Sequence, residues 1–312
     1  MVNAIILASV NPFTNRMATN RYLVFGGTTG WIGQKMVALL AEQSIDAVCS
    51  TSRLEDQAAL VAELDAVAPT HVMNCAGLTG RPNVDWCESH KADVVRVNVT
   101  GTLSLLDLCC ARGIHVTNFA TGCIYEYDEA HPIGGAGFTE EDPANFDGSW
   151  YSLTKAMVET MSASFDGVCT LRLRMPVSDD LFHRNFVTKI TKYAKVVNVP
   201  NSMTILADML PLAILAAQKR LSGVYNFTNP GAISHNEVLD LYTKHVDPTF
   251  RYENFTIAEQ DLILSARRSN NTLDVTKLQT ALGIVIPEIH DAFDACFRRM
   301  KANGVVPTTR DT

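Results

Sequence analysis

The run Gly26-Gly27-Thr28-Thr29-Gly30-Trp31-Ile32-Gly33 comes directly after the apolar segment Tyr22-Leu23-Val24-Phe25 and opens a stretch with helical apolar spacing at Ile32, Met36, Leu39 and Leu40. An apolar run that stops at glycines reads as a buried strand. Gly27, Gly30 and Gly33 then set the pattern GxxGxxG where strand gives way to helix. Glycines there permit a tight turn and let a pyrophosphate approach the backbone at a helix N-terminus. The same pattern also serves a plain tight strand–helix junction, so its meaning depends on the rest of the chain.

From residue 46 onward strand and helix patterns alternate. Asp46–Ser50 reads as a second strand, Leu54–Val67 as a helix and His71–Asn74 as a third strand. A long helical pattern covers Val94–Arg112, a fourth strand Ile114–Phe119, a helix Tyr151–Phe165 and a fifth strand Val168–Leu173. The alternation predicts an α/β fold, a Rossmann-type doubly wound parallel sheet with helices on both faces. Beyond Pro176 the pattern is less regular, with helices expected near Asn185–Tyr193, Leu206–Lys219, Asn236–His245 and Asp291–Asn303. The expected organisation is therefore a loose N-terminal extension over 1–20 (with Met17 as an alternative start), a dinucleotide-binding region over 21–175 and a smaller α/β substrate-binding region, with a soft boundary, over 176–312. No internal repeat or low-complexity tract interrupts this order. The long loop Glu126–Gly148 is of a size more often functional than idle.

Bulk properties narrow the function. A chain of 312 residues that is 47% hydrophobic has ample material for a core. A net charge of −7 argues against nucleic-acid binding, which needs a basic face. Any anionic ligand must then be held by local basic residues and helix N-termini. Eight cysteines without a CxxC pair point to a reducing compartment, and cytoplasmic residence is expected. No apolar run approaches the ~18–20 residues of a membrane span. Histidines lack metal-site spacing, so no metal is expected.

The segment after the second strand, Cys49-Ser50-Thr51-Ser52-Arg53, lacks the acid that would hold a ribose 2′-hydroxyl. A guanidinium at Arg53 suits a 2′-phosphate and favours NADPH, although a solvated arginine at a helix start would look the same. Asn74-Cys75-Ala76-Gly77 is a small-residue turn suited to pass the adenosine side. The cofactor set is thus Gly27, Thr29, Gly30, Trp31, Ile32, Gly33, Ser52, Arg53, Asn74, Ala76 and Gly77, joined by Tyr151 and Lys155.

Tyr151 and Lys155 lie four apart, on one helix face. A nearby ammonium is expected to lower the phenol's pKa and ready it for proton transfer. Thr121 comes after the fourth strand, at the sheet edge where ligands bind. In this order, after a glycine turn and an NxAG turn, these residues resemble the extended short-chain dehydrogenase/reductases. The resemblance implies that Tyr151 is the acid for a carbonyl oxygen, that Lys155 also holds nicotinamide ribose and that Thr121 polarises the carbonyl.

Within that family, 4,6-dehydratases carry an Asp-Glu pair directly after the Thr, whereas this chain has Gly122-Cys123. The segment Thr121-Gly122-Cys123-Ile124-Tyr125 resembles that of 3,5-epimerase/4-reductases. The stretches Thr79–Glu88, Asn118–Cys123, Arg184-Asn185-Phe186 and Arg268-Ser269-Asn270-Asn271 are similar to those of nucleotide-rhamnose epimerase-reductases. That resemblance implies a UDP- or dTDP-linked 4-keto-6-deoxy sugar as substrate, Cys123 and Lys189 as the epimerisation pair, and a homodimer built on the two long helices. A C4 ketone acidifies the C3 and C5 protons, and inversion needs a base on one ring face and an acid on the other. A tuned thiol and amine can supply both. Arg81, Asn83, Asn185, Asn201, Arg268 and Asn270, with Thr121 and Cys123, are candidates for sugar hydroxyls or diphosphate. A reductase acting on an already epimerised ketosugar would need no Cys123–Lys189 pair. A nonenzymatic NADP-binding protein would have no use for both Tyr151 and Lys155.

Overall fold

The computed structural model describes residues 20–305, so the expected extension, Asn20 apart, and the alternative start at Met17 lie outside the described residues. The strands and helices run in the order β1 (Arg21–Phe25), α1 (Trp31–Glu42), β2 (Asp46–Cys49), α2 (Gln57–Val67), β3 (His71–Asn74), α3 (Trp86–Ser89), α4 (Lys91–Val94), a π-helical stretch Val95–Gly101, α5 (Thr102–Cys110), β4 (His115–Thr121), α6 (Trp150–Ser162) and β5 (Val168–Leu173). They continue as α7 (Phe186–Ile190), β6 (Lys195–Val196), β7 (Pro200–Asn201), α8 (Leu206–Gln218), β8 (Gly223–Asn226), β9 (Ile233–Ser234), α9 (His235–His245), β10 (Glu253–Asn254), α10 (Ile257–Asp261), α11 (Thr276–Leu282) and α12 (Ile289–Ala302).

Six strands form one parallel sheet in the order β2-β1-β3-β4-β5-β8. The period-two alternation of each strand feeds two cores. Tyr22 and Val24 pack with Met36, Leu40 and the apolar face of α8 on one side, while Leu23 and Phe25 pack with Leu60, Leu64, Leu105 and Leu106 on the other. Truncating a fully buried side chain such as Leu40 or Leu105 to alanine costs about 2–5 kcal/mol.

Three local departures from the sequence pattern matter. Helix α2 starts at Gln57, not Leu54, because Asp56 caps it by accepting from the Ala59 amide at 3.0 Å. Leu54 is released from the helix to pack over Gly101, where an added Cβ would come within 2.8 Å of it. The single helix expected over 94–112 is broken by the π-helical stretch, which buries Asn98. Strand β4 runs on to Thr121, so this residue ends the strand rather than lying beyond it.

The boundary near residue 175 does not divide the chain cleanly. After a first excursion through α7, β6 and β7, α8 packs under β4 and β5, and β8 pairs with β5 as the sixth strand. Helix α11 also packs on the main sheet, against α8 and β8, while α7, α9 and α12 form a second lobe around Phe293, Phe297, Tyr242 and Ile233, with β7–β9 antiparallel and β6–β10 parallel.

Candidate active site

The strand order reverses between β1 and β3, and ligands of open α/β sheets bind outside the carboxyl ends of strands at such a point. There the glycine turn lies against the turn after β3: a Cβ on Gly26 would sit 3.1 Å from the Cys75 carbonyl carbon and 3.2 Å from the Ala76 amide. A Cβ on Gly30 would stand 2.6 Å from the Gly26 carbonyl oxygen, and one on Gly33 closer still. Helix α1 has neither a side-chain cap nor an acid in its first turn, so its leading amides face outward unpaired by side chains. This cradle fits the pyrophosphate of a dinucleotide. Thr29 is exposed at the turn, Ile32 half-buried, and Trp31 buried in a 5.8 Å stack on Phe182.

The loop after β2 holds an acid that sequence reasoning missed. Glu63, reaching back from α2, accepts from the Ser50 hydroxyl at 2.5 Å and from the Thr51 amide at 2.8 Å. Burial pushes its carboxyl up, but the hydrogen bonds from Ser50, Thr51 and Ser52 outweigh it and hold it below the ordinary range. The Ser52 hydroxyl donates to the Ala59 carbonyl at 3.2 Å. Arg53 stands at the rim, 75% exposed, in a 2.8 Å pair with Glu55. On the other wall, Asn74 donates to Asn118 at 2.9 Å and accepts from the Ala76 amide at 3.2 Å. Asn98 clamps the chain beyond Gly77 through both Leu78 backbone groups, at 2.7 and 2.8 Å. Its signal in the sequence was absent, because a π-turn is set by tertiary packing rather than by apolar spacing.

Of the catalytic candidates, Thr121 and Cys123 lie at the end of β4 and Tyr151 and Lys155 on α6, whereas Lys189 lies on α7. Ser149 caps α6 by accepting from the Ser152 amide at 3.1 Å, which places Tyr151 in the first turn and Lys155 one turn on. Thr121, Cys123 and Cys87 all lie close enough to the Tyr151 phenol to act on it. The Cys123 amide donates to the Thr121 hydroxyl at 3.1 Å. Burial raises the Tyr151 phenol, Cys123 adds to this, and the influence of Thr121 only partly opposes it. The lowering expected from Lys155 is therefore not what prevails: the tyrosine is held protonated, the form an acid needs. Burial takes the Lys155 ammonium down to about 8, against the pull of Glu159. Glu159 is itself held by Arg172 through bonds of 2.6 and 2.9 Å. Tyr151 and Lys155 are half-buried and retain some accessible surface.

The substrate candidates divide. Asn185 is fully buried, caps α7 by accepting from the Val187 amide at 3.1 Å, and donates to the Ser178 and Asp180 carbonyls. Asn201 is equally buried and bonds Arg174, Asn271, Asn270 and the Val199 carbonyl. Both spend their side-chain amides on protein partners. Asn83 accepts from the Asp85 amide at 2.8 Å, Asn270 pairs with Asn201 at 2.9 Å, and Arg268 pairs with Asp85 at 2.9 Å. By contrast Arg81, Arg184, Lys189 and Lys192 form no ion pair among the described residues, yet act on one another or on His183. Burial and then Arg81 lower Arg184, and burial and then Arg184 lower Lys189. Cations that crowd without acids suit an anionic ligand. Arg184 and Lys192 were absent from the residues expected from sequence. Among the described residues no group of three or more His, Cys, Asp or Glu is placed to share a metal ion.

A tyrosine acid, a lysine one turn along and a glycine cradle at the switch point of a parallel sheet are the working parts of dinucleotide-dependent short-chain enzymes. The chain belongs to the NAD dependent epimerase/dehydratase family, whose model matches residues 22–196. It is 54% identical over 261 residues to the bifunctional dTDP-4-dehydrorhamnose 3,5-epimerase/dTDP-4-dehydrorhamnose reductase of Arabidopsis thaliana, covering 83% of this chain and 86% of that one. It is also 54% identical to a trifunctional UDP-glucose 4,6-dehydratase/UDP-4-keto-6-deoxy-D-glucose 3,5-epimerase/UDP-4-keto-L-rhamnose-reductase of the same plant, where 88% of this chain spans 41% of the relative. The crystal structure of the L780 UDP-rhamnose synthase of Acanthamoeba polyphaga mimivirus superposes with a TM-score of 0.84 at 37% identity, over 89% of this chain and 99% of that one.

Proposed function

We propose that the protein is a bifunctional 3,5-epimerase/4-reductase that converts UDP-4-keto-6-deoxy-D-glucose to UDP-β-L-rhamnose with NADPH. The observation that carries this reading is that Cys123, tied to Thr121 by its amide at 3.1 Å, lies near enough to Tyr151 to act on its phenol. One site thereby offers a proton donor for the C4 oxygen and a separate sulfur for ring protons.

In the first stage Cys123 takes the proton from C3 or C5, and the C–H electron pair moves into an enolate whose oxygen Thr121 and Tyr151 can hold. Lys189, on α7, returns a proton to the opposite face. Both exchanges are redox-neutral. When bound at the glycine cradle, NADPH would supply the hydride that reduces C4 in the second stage. Tyr151 gives its proton to the carbonyl oxygen, and Lys155, poised at about 8, is suited to restore it. The unpaired cations Arg81, Arg184 and Lys192 hold the diphosphate. Arg53 holds the cofactor's 2′-phosphate.

Incubation with the ketosugar in deuterated water tests the reading. Product carrying deuterium at C3 and C5 and an L-configuration supports it, and Cys123→Ser should remove the exchange. Full exchange and L-product at the parent rate in Cys123→Ser would leave a reductase whose thiol is packing. The relatives' names carry both dTDP and UDP. A thymine methyl is worth only ~1–3 kcal/mol of discrimination, so competition between the two nucleotides decides preference. A homodimer through α5 and α6 is supported by Met157 and Met161 on α6, 48% and 38% exposed, and is tested by sedimentation. Free cysteines suit a cytoplasmic setting, tested by fractionation. Among the described residues no helix is long and apolar enough to cross a membrane.

A further inference from the structure

Arg174, immediately after β5, is 1% exposed and heads the largest fully buried side chains among the described residues. One terminal nitrogen donates to the Gly122 carbonyl at 2.9 Å and the Ser269 hydroxyl at 2.8 Å. The other donates to Asn201 Oδ1 at 2.6 Å and the Ser269 carbonyl at 3.0 Å. Its Nε has no partner. Every acceptor is neutral, and no carboxylate among the described residues pairs with it. A guanidinium withdrawn from water costs several kcal/mol unless a counter-charge offsets it. In a chain of net charge −7, a buried cation without an acid calls for an explanation.

The surroundings supply one. Gly122 precedes Cys123, and its carbonyl also accepts from Asn271 Nδ2 at 3.0 Å. Cys123 and Tyr127 are the groups whose negative charge would act on Arg174. Burial raises the Tyr127 phenol first of all, so this group stays neutral near neutral pH. The same holds for Tyr151 on α6, and for Cys87, the second thiol near that phenol, pushed up to about 11 by burial and then Glu88. Cys123 directly follows Gly122, the residue whose carbonyl the Arg174 fork holds at 2.9 Å.

We propose that Arg174 is a positioning residue for epimerisation, whose buried unpaired cation offsets the negative charge on the Cys123 sulfur while its fork fixes the Gly122–Cys123 backbone against Ser269. The inference rests on the reading of Cys123 as the ring-proton carrier. Arg174 lies behind Gly122 and touches no substrate. It acts through the low dielectric of the interior, where a charge a few ångströms away is poorly screened. When the sulfur forms its S–H bond and the ring C–H bond breaks, the net negative charge passes to the enolate oxygen, so the cation serves the resting state most.

The test is the pH profile of deuterium wash-in at C3 and C5. In Arg174→Met the rising limb should move at least one pH unit to the alkaline side, with at least tenfold slower exchange at neutral pH, while NADPH still binds. Arg174→Lys, which keeps the charge, should leave the limb within about 0.3 units of the parent. A folded Arg174→Met with the parent's limb and rate overturns the proposal. If Arg174→Met does not fold, Arg174→Lys decides, and a limb displaced by a unit or more overturns it. Loss of exchange in Cys123→Ser together with an unmoved Arg174→Met profile sinks this inference alone. Full exchange in Cys123→Ser sinks the reading beneath it.

Discussion

Arg268 and Asp85, 183 residues apart in sequence, are joined by a 2.9 Å bond that ties the loop before α3 to the loop before α11. The same carboxylate accepts from the Ala266 amide at 3.1 Å, so this pair braces two loops. Arg268 thus has an acid partner, whereas Arg81, Arg184 and Lys192, proposed above to hold the diphosphate, form no ion pair among the described residues. Arg184→Gln should raise the KM for the nucleotide sugar about tenfold or more, with kcat within threefold, since one bond to a charged group contributes about 1.5–3 kcal/mol. Arg268→Gln should also lower Tm. Steady-state kinetics with both substrates varied checks this. A rise in the NADPH KM instead would assign Arg184 to the cofactor.

Tyr151→Phe should reduce turnover of NADPH by roughly 10²–10⁴-fold, the usual worth of a positioned acid. Ketosugar binding, measured calorimetrically, should change little, because the ring stays and one hydroxyl goes. Near-parent turnover would mean that another group protonates the C4 oxygen.

Arg53→Ala should weaken NADPH binding about tenfold or more and spare NADH. Its side chain is 75% exposed and its partner Glu55 lies on the same loop, so no fold contact is lost. Fluorescence titration with each cofactor gives the comparison, and equal losses would remove the 2′-phosphate role.

Two buried histidines set an acid limit on stability. Burial takes His71 down to about 4, helped by His115 and Arg220, and takes His235 to about 4 against a backbone bond to Val199. Each binds fewer protons folded than unfolded, so its contribution is present above about 6.5 and is lost as pH falls towards 4. The loss is on the order of 2–3 kcal/mol per histidine. Tm followed from pH 7 to 4 should fall, and His235→Asn should flatten the curve. An unchanged slope in that variant would clear His235.

The glycine turn, the Tyr151–Lys155 spacing and the bounds of β3 and β5 were legible because each is a local rule: a backbone approach, a helical period, an apolar run between turns. Glu63, Asn98 and the fates of Asn185 and Asn201 were not. Whether an asparagine meets a ligand or caps a helix depends on partners elsewhere in the chain, as with Asn201, whose partners Arg174 and Asn271 lie 27 and 70 residues away. The membership of β8 in the main sheet was hidden for the same reason, since parallel pairing leaves no turn signal between partners.

That sixth strand has a consequence for how this fold can be reused. All six residues of β5 are buried, and β8 covers the edge that would otherwise be open to other chains. A cut near residue 175 would strip that cover and leave an apolar strand as a template for aggregation. It would also separate Arg174 from Ser269, Gly122 from Asn271, and Asp85 from Arg268. The span from β1 to α12 is therefore a cassette with no internal seam: it can be appended to another enzyme whole, but neither half can be traded for that of a cousin.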